Sequence, residues 1–204
     1  REIWLCLVVW YFFLARASEM FSAGEQNSNF DPCLERRDVA FFRGSQQLSW
    51  DVWLPAEGME VPSRFSKGDQ FRRGTVVVRV RERSNVGWQA GGGAVALLVK
   101  LLSLNFNLPA NAPLASYRFV SGEYAVISQN QASRALRELV AKAGMQPHEF
   151  GIHFRRIGGV MQLSAGVVAS DVLQRQGRWN SQAYKVYVRN HGRDAGRVSE
   201  TLTN

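Results

Sequence analysis

The chain of 204 residues has only two cysteines, Cys6 and Cys33, and no Cys-x-x-Cys pair. A disulfide scaffold is not indicated, and a reducing, intracellular compartment is the expectation. Histidine is as scarce, limited to His148, His153 and His191, so no zinc or other metal site is expected. No GxxxxGK[ST] phosphate loop occurs; the run Gly91–Gly93 stands before an apolar helix from Ala94 to Leu104, and no strand feeds it. No nucleotide or other small-molecule cofactor is therefore expected. The longest apolar run, Trp4 to Ala15 (WLCLVVWYFFLA), is shorter than the roughly 20 residues a bilayer requires. It passes into Arg16-Ala-Ser-Glu19 without a small-residue cleavage pattern. It reads as a buried helix, and no membrane element is expected. Internal repeats and low-complexity tracts are absent too.

What is present is positive charge. Lys plus Arg number 25 against 17 Asp plus Glu, a net charge of +8 and a pI near 10.1. That excess favours a polyanionic partner, either nucleic acid or an anionic membrane surface. The hydrophobic fraction of 46% is ordinary for a folded domain, and the length suits one domain with a full core. The chain begins inside its apolar run, without a cap or an initiator Met, which reads as a fragment or as a domain whose upstream partner is missing.

Periodicity and turn residues give a coarse map. A first helix is expected over residues 4–22, then a loop from Gly24 to Pro32. Short strands are expected at Val39–Arg43, Leu48–Leu54 and Thr75–Arg81, separated by turns at Gly44, Pro55, Gly58 and Lys67-Gly68-Asp69. Asn105 to Pro113 is a loop. Gln129 to Gly144 is an amphipathic helix with Ala132, Leu136, Leu139 and Val140 on one face. Helices follow at 153–165, at Ser170–Gln176 with Ser170 as its cap, and at Gln182–Arg189. The pattern is α+β, with a small antiparallel sheet among helices.

The C-terminal third carries the chemistry. His153-Phe-Arg-Arg156 places a histidine and an arginine at i and i+3 on one helix face, where both can address one phosphate. Arginine suits that task because its planar fork grips phosphate bidentately and stays charged. Alone, such a pair is more often an interior histidine beside a solvated arginine. Here it is followed by further boxes. The succession HFRRIGGVMQLSAGV, LQRQGRW and AYKVYVR resembles the tyrosine recombinase (phage integrase) pattern of HxLRxGGAT, a GH or GRW box, and a terminal tyrosine.

The resemblance runs from about Leu14 to Arg197. It implies an α+β, mainly helical recombinase-type catalytic domain with a small antiparallel sheet. Residues 1–204 would form that single domain, 190–204 its C-terminal tail, and the family's N-terminal core-binding domain would be absent. By the same resemblance Arg16 and Arg156 clamp the scissile phosphate, and Glu19 holds Arg16 in place. Lys67, in a hairpin box (Ser66-Lys67-Gly68-Asp69), protonates the leaving 5′ oxygen, and His153 joins the phosphate site. Tyr187, ten residues after Gly177, is the nucleophile, leaving Tyr184 as a packing residue or a DNA contact. Most members carry histidine after the box glycine; this chain has Arg178 and then Trp179, and either could donate to the phosphate.

The activity implied is cleavage and rejoining of double-stranded DNA through a 3′-phosphotyrosyl intermediate, without metal or ATP, by a homo-tetramer assembled on DNA. Localisation would be intracellular and DNA-associated, nuclear in a eukaryote. Three alternatives stand beside it: an inactive DNA-binding descendant of a mobile element, a type IB topoisomerase, and a membrane-surface protein. The last expects its basic residues on one amphipathic helix, whereas here they are spread over the chain.

Overall fold

The computed structural model describes residues 2–24, 33–49, 51–52, 56–63, 75–80, 93–151, 154–165, 168–179, 181–186 and 188. The apolar run forms α1 (Glu2–Phe13), with Leu5 to Trp10 and Phe13 buried. A helix apolar on every side needs neighbours on every side, and α1 packs against three helices: α3 (Ala94–Leu104), α4 (Gln129–Lys142) and α5 (Phe154–Ala165). Its 12 residues reach about 18 Å, well under the ~30 Å of a hydrocarbon core. Among the described residues no helix is long and apolar enough to cross a membrane.

The single helix expected over residues 4–22 is two. Leu14 adopts φ 48, in the left-handed region, and α2 (Ala17–Met20) starts only after Arg16, whose backbone is extended. A left-handed L-residue costs ~1–2 kcal/mol, so something must hold the break. Leu14 is itself fully buried. The Trp10 indole N–H donates to the Ala15 carbonyl, and the Trp10 ring meets Phe21 edge-on with centroids 5.3 Å apart. The chain thus folds back over the end of α1.

The four-stranded antiparallel sheet has the order β2-β1-β3-β4, from β1 (Ala40–Arg43), β2 (Gln46–Leu48), β3 (Gly58–Ser63) and β4 (Thr75–Val80). Phe41, Met59, Val61 and Val77 form its buried face. Two expectations are corrected. Of the strand expected at Leu48–Leu54, Trp50, Trp53 and Leu54 lie outside the described residues and only Leu48 of the others is in a strand. The strand there is Gln46–Leu48, because Gly44 with φ 57 closes a two-residue hairpin that pairs Arg43 with Gln46. Gly58, expected in a turn, opens β3, which is internal to the sheet. Pro62 is tolerated there because β1 pairs with β3 only from Gly58 to Glu60, so its missing N–H falls beyond the end of β1.

A second hairpin, β5 (Ser116–Arg118) with β6 (Tyr124–Val126), stands in a stretch without a clear period. In α4 the expected face is inward: Ala132, Leu136 and Val140 are buried. Ser128 and Gln131 form its capping box, and Gly144 (φ 75) ends it. The helix α6 (Ser170–Gln176) is capped by Ala169 without a side-chain bond, so Ser170 is its first residue and not its cap. A 3₁₀ turn covers Gln182–Val186. Among the described residues the architecture is α+β, with six α-helices and small antiparallel sheets.

Both cysteines are buried, and burial pushes the Cys6 thiol far above its ordinary value. Neither should react with an aromatic disulfide reagent in the native state, since the thiolate is the nucleophile. Both should react after addition of denaturant. Prompt native labelling of Cys6 would contradict the packing of α1.

Candidate functional site

The break after α1 presents Arg16. Its backbone N–H donates to Glu19 Oε2 at 2.7 Å, one turn later on α2. The Glu19 carboxylate is only 2% exposed, and the same oxygen accepts Arg178 Nη2, also at 2.7 Å, from 159 residues away in the sequence. A second contact of 3.4 Å runs from Arg178 Nη2 to the Leu14 carbonyl. Breaking a buried pair from one side costs ~3–5 kcal/mol, because the other charge is left without compensation.

Arg178 owes its direction to the end of α6. The Trp179 N–H donates to the Gln174 carbonyl and the Arg178 N–H to the Arg175 carbonyl, both at 3.0 Å. This is a Schellman stop, whose left-handed residue is usually glycine; here it is Arg178, with φ 55. Burial pushes its guanidinium below the ordinary value and the Glu19 charge pulls it back up. The positive charge of Arg16 close by lowers it further. It stays protonated throughout the physiological range.

Arg156, on the first turn of α5, reaches the same corner. One Nη2 hydrogen bond goes to the Gly177 carbonyl, and its Cζ lies 4.3 Å from the centroid of the Trp179 ring, a cation–π stack. Trp179 in turn leans on Tyr184, with centroids 6.2 Å apart. Tyr184 is buried. An apolar groove of ≈ 360 Å³ between α1, α5 and α6, lined by Tyr11, Leu14, Leu163 and Val172 among others, adjoins this corner. It carries none of the arginines.

Two glycines make the approach. A Cβ on Gly159 would come within 2.3 Å of Leu14 Cδ2 and 3.1 Å of the Tyr11 carbonyl oxygen. A Cβ on Gly177 would fall inside the Trp179 ring, 1.4 Å from Cζ3. Gly158 differs, since its Cβ would meet Tyr11 Cε2 at an ordinary 3.6 Å. Gly159→Ala should therefore destabilise the protein by about 1–3 kcal/mol. Gly158→Ala should be neutral or stabilising, by up to about 1 kcal/mol, since alanine is the better helix former. Urea midpoints check both, and equal midpoints for the two variants would deny the close contact of α5 with the break.

Of the residues singled out in the sequence, the structure brings Arg16, Glu19, Arg156, Arg178 and Trp179 to one corner formed by the α1–α2 break, α5 and the end of α6. The Arg178 guanidinium lies inside against Glu19, and the Trp179 ring lies against Arg156. Lys67, His153 and Tyr187 lie outside the described residues, as do Gly91, Gly92 and the tail 190–204. Leu14, Gly159 and the Gly177 carbonyl were not singled out as site elements; the glycine pair of RIGG and the QGRW turn were the signals available. Among the described residues no group of three or more His, Cys, Asp or Glu side chains could hold a metal ion.

The corner thus holds the Arg156 guanidinium and the backbone of Arg16, and arginine is a side chain suited to phosphate-like anions. No protein-family model matches the chain, and no curated protein sequence does either.

Proposed function

We propose that this chain is a tyrosine recombinase-type catalytic domain that cuts and rejoins double-stranded DNA. One observation carries the reading: the Arg156 guanidinium and, through Glu19, the backbone of Arg16, from boxes at opposite ends of the sequence, are held from the same Gly177–Trp179 corner. Sequence order does not require that meeting, and a shared phosphate substrate would account for it.

In this reading Arg16 and Arg156 hold the nonbridging oxygens of the scissile phosphate and stabilise the charge that builds in the transition state. His153, immediately before α5, adds a further donor. The Tyr187 phenol gives up its proton to solvent as its oxygen attacks phosphorus, and Lys67 delivers a proton to the departing 5′ oxygen. A P–O bond to tyrosine replaces a P–O bond to deoxyribose, so a 5′ hydroxyl can reverse the exchange without ATP. The phosphate contacts are spread over a chain of net charge +8, so DNA binding should weaken steeply with salt. A homo-tetramer on DNA and a DNA-associated location belong to the same proposal.

The test is a suicide substrate, a duplex nicked beside the cleavage position so that a short fragment diffuses away after attack. Incubated with a library of such duplexes and a chelator, the protein should give a denaturation-resistant, slower-migrating adduct. DNA binding without adduct at any sequence would favour a protein that binds and does not cut. An adduct that requires a divalent metal would exclude the metal-independent mechanism.

A further inference from the structure

We infer that Gly177-Arg178-Trp179 is an aiming frame for the two arginines, and that Arg178 and Trp179 are positioning residues without contact to the phosphate. The inference rests on the recombinase reading of the site and goes further, since that reading allows either residue to serve as a phosphate ligand.

Three consecutive residues brace two different elements. Gly177 offers its carbonyl to Arg156. Trp179 covers the Arg156 guanidinium with its ring face, and a face engaged in stacking leaves the indole N–H no part in that contact. Arg178, between them, points the opposite way along the chain's path, to Glu19 and the Leu14 carbonyl. Glu19 completes the link by holding the backbone of Arg16.

The left-handed turn at Arg178 makes this division workable. Glycine at that position would form the same stop at lower backbone cost, but it would leave Glu19 without its cation. The side chain is 4% exposed and its carboxylate partner 2% exposed, so the guanidinium is consumed inside the fold. A residue in that state acts on a phosphate only through what it holds, which is Glu19 and then Arg16. The Gly177 contact explains why the frame tolerates no side chain there: a methyl group would displace the Trp179 ring and release Arg156.

A double-mutant cycle on Glu19→Gln and Arg178→Gly tests the chain of action. Single-turnover cleavage of the suicide substrate is measured at saturating DNA, and unfolding midpoints are recorded in parallel. Each single variant should lose about 10²-fold in rate, the scale of a misplaced catalytic group. The double variant should lose no more than either single one, because both break the same link. It also removes both buried charges, so it should fold more stably than the singles, which keeps the measurement open if a single variant unfolds. Losses that multiply to about 10⁴-fold would mean that Arg178 touches the phosphate itself, and would overturn the inference.

Trp179 is read separately by replacement of its ring. Trp179→Phe keeps a stacking face and should lose less than about tenfold, whereas Trp179→Ala should lose about 10²-fold. Equal losses would make the indole N–H the working group and defeat the frame. Wild-type protein that forms no adduct would remove the recombinase reading as a whole. Wild-type cleavage with a multiplicative cycle would remove the frame alone.

Discussion

Tyr187→Phe should give no covalent protein–DNA adduct, while its fold and DNA affinity stay near wild type. The substitution removes one oxygen and keeps the ring, so packing changes little. The chemistry is lost outright, because only the phenolic oxygen can become the bridging atom of a phosphotyrosyl ester. Tyr184→Phe is the control, and the structure gives it a specific meaning. Tyr184 is 4% exposed and packs on Trp179, so its ring supports the residue that stacks on Arg156. Phenylalanine preserves that support, and the variant should still form adduct. Denaturing gels of nicked duplex with each variant decide between the two tyrosines. An adduct from Tyr187→Phe but none from Tyr184→Phe would transfer the nucleophile to Tyr184; adducts from both would mean that neither is the sole nucleophile.

How much of this was legible beforehand varied with the kind of interaction. The helices α3, α4 and α5 follow from apolar spacing, and Gly144 ends α4 where a left-handed residue is needed. The helix expected over 4–22 failed because apolar residues resume at Met20 and Phe21 after Arg16-Ala-Ser-Glu19, and composition does not register a change of backbone sign at Leu14. A glycine there would have announced the break; a buried leucine does not. The strand β3 was hidden by Gly58 and Pro62, poor strand formers that the sheet accommodates for reasons of register. The alternating LSWDVWL suggested a strand through Ser49, Asp51 and Val52, which lie outside any strand.

At the site, Arg16 and Arg156 were singled out because their boxes resemble those of the recombinase family. The partner of Glu19 was not. The expectation tied Glu19 to Arg16, one turn away on the same helix end. The structure shows its carboxylate bonded both to the Arg16 backbone and to Arg178, 159 residues distant. Local spacing reports neighbours along a helix; it is silent on ion pairs made by tertiary packing. Gly159 was legible as a glycine and not as a contact, since the Leu14 side chain that it admits belongs to another element.

Arg156→Ala and Arg16→Ala should each lower the rate of DNA cleavage by about 10²–10³-fold, the usual cost of one donor to developing charge. Their affinity for DNA should change far less, because many phosphate contacts share the binding free energy. The two variants should differ in stability. Arg156→Ala removes a bond to the Gly177 carbonyl and a stack on Trp179, together about 1–3 kcal/mol. Arg16→Ala leaves the backbone N–H that Glu19 accepts, so the α1–α2 break should survive it. Arg156→Lys is the sharper probe of mechanism. It retains one positive charge but loses the planar fork that can grip a phosphate with two bonds and lie flat on an indole. If charge alone mattered, lysine would restore most of the rate; the geometry at Gly177 and Trp179 makes the expected recovery small. Single-turnover rates on the nicked duplex, affinities at fixed salt and thermal melting separate these effects. Normal cleavage by both alanine variants would leave this corner structural and move the search for a catalytic cation elsewhere in the chain.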